Sequence, residues 1–158
     1  MGHAASKQAL LGLQRRLDKM PIGTPAHRAL FEILEELFTQ AECELAAKMP
    51  FQMVSLTRMA RIAGLPVAET EALLDSMVEK GLVCDLRLGR KGRRRFFLNP
   101  SIIGYFEFTM MRERPEVDLA KVSRLMWEYL REDPELAFFR MVAEGPTFSL
   151  GDIAVATV

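Results

Sequence analysis

Cysteine is nearly missing from this chain: the 158 residues hold two, Cys43 and Cys84. They stand far apart, with no second thiol or imidazole at ligand spacing, and His3 and His27 do not complete a set. An iron–sulfur cluster or a structural zinc needs about four grouped ligands, so this chain by itself is expected to carry neither. A cytosolic redox poise disfavours a disulfide, and both thiols are expected to behave as small buried apolar groups. Long hydrophobic runs are missing too. No stretch approaches the roughly 18 apolar residues of a membrane-spanning helix, and residues 1–16 lack the apolar core and small-residue cleavage site of a secretory signal. The expectation is a soluble, cytoplasmic protein without a membrane partner. Internal repeats and low-complexity segments do not occur, and a hydrophobic content of 49% excludes general disorder.

Catalytic signatures are equally scarce. No glycine-rich phosphate loop continues into Lys-Ser or Lys-Thr, and no nucleophile elbow is present. Gly89-Arg90-Lys91-Gly92 is a turn without the required continuation. Glu35 and Glu36 fall on the expected solvent face of an amphipathic helix, and His27 has no evident catalytic partner. The reading is therefore non-catalytic.

What the chain does contain is helical periodicity followed by a hairpin. Leu10, Leu13, Leu17 and Met20 mark a helix from about Ala4 to Lys19. Thr24 with Pro25 behind it predicts the start of a second helix, with Ala26, Ala29, Leu30, Ile33, Leu34, Leu37 and Phe38 as its apolar stripe. Thr39 and Glu42 form a capping-box pattern for a third, ending near Lys48. Ser55 predicts the cap of a short helix that Gly64 ends. After Leu65-Pro66, a longer helix runs from Val67 to Lys80. Two helices joined by a short glycine-containing turn are a helix-turn-helix signature. Leu82, Cys84, Leu86 and Leu88 then alternate with Val83, Asp85 and Arg87, which predicts a strand with the first set buried. Arg94 to Leu98 reads as the return strand. The order helix, turn, helix, hairpin is that of a winged helix. The expected fold is mostly α with a small β-hairpin: a winged helix-turn-helix module over residues 1–99, a helical extension over 100–145, and a tail or linker over 146–158.

The extension is rich in Met and aromatic residues. Ile102 to Met111 is apolar nearly all round, so burial on two sides is expected. Pro115 should break it, Asp118 to Arg131 form the next helix, and Asp133-Pro134 start another that Gly145-Pro146 ends. Tyr105, Phe106, Phe108, Met110, Met111, Trp127, Phe138 and Phe139 are chiefly core candidates. Some should face a partner, because short helices cannot hide all of them from water. A homodimer through the extension is the simplest solution.

Equal numbers of basic and acidic residues, 21 each, hide a segregated charge. The second helix of the motif carries Glu69, Glu71, Asp75 and Glu79 against Lys80 alone. In ordinary DNA recognition that helix enters the major groove and needs basic or amide donors. The hairpin is the reverse, with Arg87, Arg90, Lys91, Arg93, Arg94 and Arg95 against Asp85. These six are the candidate contacts for nucleic acid or an acidic partner, or else a solvated edge that discourages strand pairing.

Three segments carry a family likeness: Pro21 to Leu30 (PIGTPAHRAL), Leu45 to Phe51 (LAAKMPF), and Asn99-Pro100 through Gly104 to Arg112 (GYFEFTMMR). Together they resemble the N-terminal region of ferredoxin-type iron–sulfur proteins of anaerobic bacteria and archaea. The resemblance extends to about residue 145. It implies a winged-helix-like region that precedes a domain with clustered four-iron four-sulfur cysteine motifs. Those motifs are not in this sequence, so the chain is expected to be either an excised N-terminal domain or a relative without the redox domain. Any cluster would lie in a missing C-terminal domain. The expected function is a non-catalytic docking module of such a protein, its partner being its own C-terminal domain or another protein. The alternative is a DNA-binding regulator that uses its basic wing.

Overall fold

The computed structural model describes residues 5–21, 23–89, 92–111 and 117–131, with the side chains of residues 102 and 103 excepted. Arg90, Lys91, Pro115, the helix expected after Asp133 with Phe138 and Phe139, and the expected tail fall outside the described residues. Within them the chain is mostly helical, with one small antiparallel sheet.

α1 (Lys7–Asp18) opens at Ser6, whose hydroxyl accepts the Ala9 N–H, and buries Leu10, Leu13 and Leu17. α2 (Arg28–Leu37) begins later than the Thr24 cap predicts. His27 is its cap, and the ring Nδ1 accepts the Ala29 N–H at 3.1 Å. Thr24 has a competing tertiary role. It is buried, its hydroxyl lies 2.9 Å from Ser101 Oγ, its N–H donates to Asp18 and its carbonyl accepts from Gln14. A hydroxyl held by Ser101 and by the Gly23 carbonyl is not free to cap a helix. α3 (Gln40–Ala47) carries the full capping box: the Thr39 hydroxyl accepts the Glu42 N–H, and the Glu42 carboxylate accepts the Thr39 N–H at 2.8 Å.

β1 (Val54–Ser55) was not legible, because two residues cannot show a period. α4 (Leu56–Ala63) starts at the Ser55 cap and ends at Gly64, whose φ of 74° is the left-handed conformation that glycine adopts without strain. α5 (Val67–Glu79) follows, then β2 (Val83–Leu88) and β3 (Arg93–Leu98). The strand order is β1-β3-β2, so β3 is central and β2 is an edge. Val54 pairs with Phe96 and Ser55 with Arg95. Val83 pairs with Leu98, and the ladder continues to Leu88 with Arg93.

After Pro100 the chain makes one wide turn over Ser101–Tyr105, closed by the Tyr105 N–H on the Pro100 carbonyl, and enters α6 (Phe106–Met110). This segment secures the end of α5. The Asn99 amide donates to the Gly81 carbonyl at 2.8 Å, and the Thr109 hydroxyl donates to the Lys80 carbonyl at 3.2 Å. These are the carbonyls of the C-cap residue and of the residue after it, which no bond within the helix reaches. Gly81 has φ 75°, and a Cβ there would lie 2.7 Å from Phe108 Cβ, so only glycine allows α6 this close. α7 (Leu119–Arg131) packs on α2. The Tyr129 hydroxyl donates to the Pro25 carbonyl at 3.0 Å, and Lys121 pairs with Glu36 at 2.8 Å. One core joins the apolar faces of α1, α2 and α3 to Leu74, Met77, Val83, Phe96, Tyr105, Val122 and Leu125.

Candidate functional site

The hairpin carries the chain's basic cluster, and its register decides what each residue faces. Directly paired residues share a face. Val83 with Leu98, Asp85 with Phe96, and Arg87 with Arg94 form one face; Cys84 with Phe97, Leu86 with Arg95, and Leu88 with Arg93 form the other. Val83, Phe96 and Leu98 are buried, so the first face is the inner one. This inverts the expected strand. Leu82 is buried, but Leu86 and Leu88 point outward, 42% and 43% exposed, and Cys84 is half-buried. The exit from α5 sets the phase. The Leu82 N–H bonds back to the Met77 carbonyl and its own carbonyl accepts the Asn99 N–H, which turns Val83 inward.

Arg94 is on the inner face and is fully engaged. Its Nε donates to Asp85 and its Nη1 to Asp75 of α5, both at 2.5 Å, and its guanidinium lies 4.8 Å from the centroid of the Phe96 ring. The hydrogen bond it donates to Asp85, with that to Asp75, outweighs its partial desolvation and raises its pKa above the ordinary value. Arg94 therefore ties the hairpin to α5 and is not a free contact for phosphate, as the charge count alone suggested. Arg87 and Arg93 are exposed and Arg95 is half-buried.

α5 presents Val67, Ala68, Glu69, Glu71, Ala72 and Glu79 to solvent. Its terminal Lys80 is turned inward. The ammonium lies 2.7 and 2.9 Å from the two Glu42 oxygens and donates to the Leu37 carbonyl at 3.3 Å, while the Ser76 hydroxyl donates to Glu42 at 2.7 Å. Burial pushes the Glu42 carboxyl upward, but Lys80, the Thr39 N–H and Ser76 outweigh it and hold the group below its ordinary range. The outward face of α5 thus carries acids and small apolar groups and no basic residue.

The apolar candidates divide sharply. Tyr105 and Phe106 are buried in the core and belong to the part of this set that faces no partner. Phe38, Tyr105, Phe106 and Tyr129 form a chain of edge-to-face ring contacts at centroid separations of 6.2, 4.9 and 6.3 Å, a favoured aromatic geometry. Buried rings packed in this way are unavailable to a partner. Phe108, Met110, Met111 and Trp127 are exposed, Trp127 by 62%, with the Arg131 guanidinium 4.8 Å from its ring. Phe51 is a further exposed aromatic that the sequence reading missed. Arg16 covers it at 3.9 Å while donating to the Met49 and Pro50 carbonyls. Its only sequence signal is an aromatic beside Pro50 in a loop.

A four-iron four-sulfur cluster does not fit these residues. Cys43 is buried in α3, its thiol pushed up to about 12 chiefly by burial, and Cys84 sits on the hairpin. Among the described residues no three His, Cys, Asp or Glu side chains converge as a metal site. Nor, among them, is any helix long and apolar enough to cross a membrane. The concavity beside α1 and α2, lined by Lys7, Leu10, Leu11, Arg28, Phe31 and Glu32, is an open depression. Comparison with protein-family models, curated proteins and solved structures finds no match to this chain.

Proposed function

We propose that residues 54–98 form a winged helix-turn-helix and that the chain is a non-catalytic protein-docking module, serving a ferredoxin-like iron–sulfur protein. The outward face of α5 carries this reading. A duplex reader needs donors there to meet base edges and phosphates. This helix offers Glu69, Glu71 and Glu79 around Ala68 and Ala72, and its lysine is consumed by Glu42. Such a face suits a basic, partly apolar protein surface. The iron–sulfur setting rests on the sequence resemblance alone.

The second reading, a DNA-binding regulator, draws on the exposed Arg87 and Arg93 of the hairpin. Titration of the labelled chain with mixed duplex DNA, and separately with a purified four-iron four-sulfur ferredoxin domain, tests both by amide chemical shift. Docking predicts shifts at Glu69, Glu71 and Ala72 with the ferredoxin domain. Saturable, sequence-selective DNA binding with those α5 amides perturbed would overturn it, as would a ferredoxin domain that moves none of them.

A further inference from the structure

We propose that the free edge of β2 pairs with β2 of a second copy of this chain, antiparallel and two-fold symmetric about Leu86. The inference stands apart from the docking face on α5, and it places the self-association surface on the hairpin rather than on the extension.

The first observation is the open edge. Among the described residues β2 is paired on one side only, with six residues in the strand. The Asn99 N–H bonds to the Leu82 carbonyl, and antiparallel ladders alternate. The main-chain groups of Cys84, Leu86 and Leu88 therefore point to β3, and those of Val83, Asp85 and Arg87 point away from it. An edge of this kind is a template for another strand.

The second observation is the residue order on that edge. Two-fold pairing about Leu86 sets Leu86 against Leu86 of the second copy, Leu88 against its Cys84, and Asp85 against its Arg87. The half-exposed leucines of the outer face close on each other, and the inner face gains a cross-strand ion pair on each side of the axis. Sliding the partner by two residues in either direction sets Asp85 against Asp85, or Arg87 against Arg87. Like charges directly opposed are destabilising, so the charges select one register.

The third observation is Arg87 itself. Within one chain it faces Arg94 across the ladder, and both acids near that pair, Asp75 and Asp85, already bind Arg94. The two-fold pair sets Asp85 of the second copy directly opposite Arg87; its Oδ2 holds its own Arg94, as in the first copy, and its Oδ1 is left to accept Arg87. Contact of patch i with patch j and of j with i is the signature of a closed two-fold interface.

Sedimentation across a concentration series is expected to show a reversible shift from the mass of one chain to twice that mass. Arg87→Pro removes an N–H that points to the open edge and no bond of the hairpin. Arg87→Asp sets an acid against Asp85 of the second copy, while within the chain it faces Arg94 favourably. Each is expected to weaken association by about tenfold or more, with the far-UV circular dichroism unchanged. Leu88→Cys in the native background should give a disulfide to Cys84 of the second copy on mild oxidation, identified by peptide mapping. A single-chain mass at every concentration overturns the proposal. So does a dimer that survives Arg87→Asp, or a Leu88→Cys chain that forms no link to Cys84.

Discussion

Glu42→Gln keeps the shape of the side chain and removes its charge. In the native chain one Glu42 oxygen receives Ser76 and Lys80, and the other receives Lys80 and the Thr39 N–H. An amide replaces one of those oxygens with a donor, so two donors meet a third. Lys80 then keeps only the amide oxygen and the Leu37 carbonyl. Removing one partner of a buried ion pair costs about 3–5 kcal/mol, and the Lys80 side chain retains 15% of its exposure, which favours the low end, about 3 kcal/mol. With a urea slope of about 2 kcal/mol/M, the unfolding midpoint should fall by about 1.5 M at unchanged slope. The pH dependence supplies an internal control. The folded Glu42 carboxyl lies below its ordinary range, so its stabilisation is fully present above the unfolded carboxylate value. It is lost as pH falls through the folded value. Native and variant stabilities should therefore converge in acid. A midpoint change under about 0.5 M at neutral pH, or a gap that persists in acid, would refute the assignment of Glu42 as the hub of α2, α3 and α5.

Tyr105 tests the opposite sign. Its hydroxyl is buried without a hydrogen-bond partner among the described residues, so Tyr105→Phe removes a desolvated group and should be neutral or stabilise by about 1 kcal/mol in urea unfolding. A loss of similar size would show a bond to that oxygen. The thiols should differ: Cys84 is half-buried and should react with a thiol reagent in the native state, whereas Cys43 should stay unmodified until denaturant is added. Equal native labelling of both would contradict the packing of α3.

Local chemistry was legible and long-range commitment was not. The Thr39–Glu42 box, the Ser55 cap and the Gly64 stop are each written within a few residues, and each stands where the sequence places it. The hairpin was legible as two strands, but the more apolar set, Leu82, Cys84, Leu86 and Leu88, pointed to the wrong inner face. Which face is inner is decided by Leu82 and Asn99, which lie 17 positions apart in the chain and meet through one hydrogen bond. The charge of the hairpin was countable; that Arg94 is bound by both Asp75 and Asp85 required the fold. Tyr105 and Phe106 could not be told from the exposed members of their segment because their ring partners, Phe38 and Tyr129, lie far away in the chain.

The finish of α5 has a consequence for synthesis. The carbonyls of Gly81 and Lys80, just past its end, accept from Asn99 and Thr109, groups that lie 18 and 29 residues further along. A ribosome releases the helix well before it releases either donor. During that interval the Lys80 and Gly81 carbonyls face water, and the exit from the helix is held only by the local bonds of the Lys80, Gly81 and Leu82 N–H groups to the Ser76, Val78 and Met77 carbonyls. The motif becomes complete only when the segment through Thr109 has left the exit tunnel, so the chain up to residue 99 and the one that follows it mature as a single folding unit.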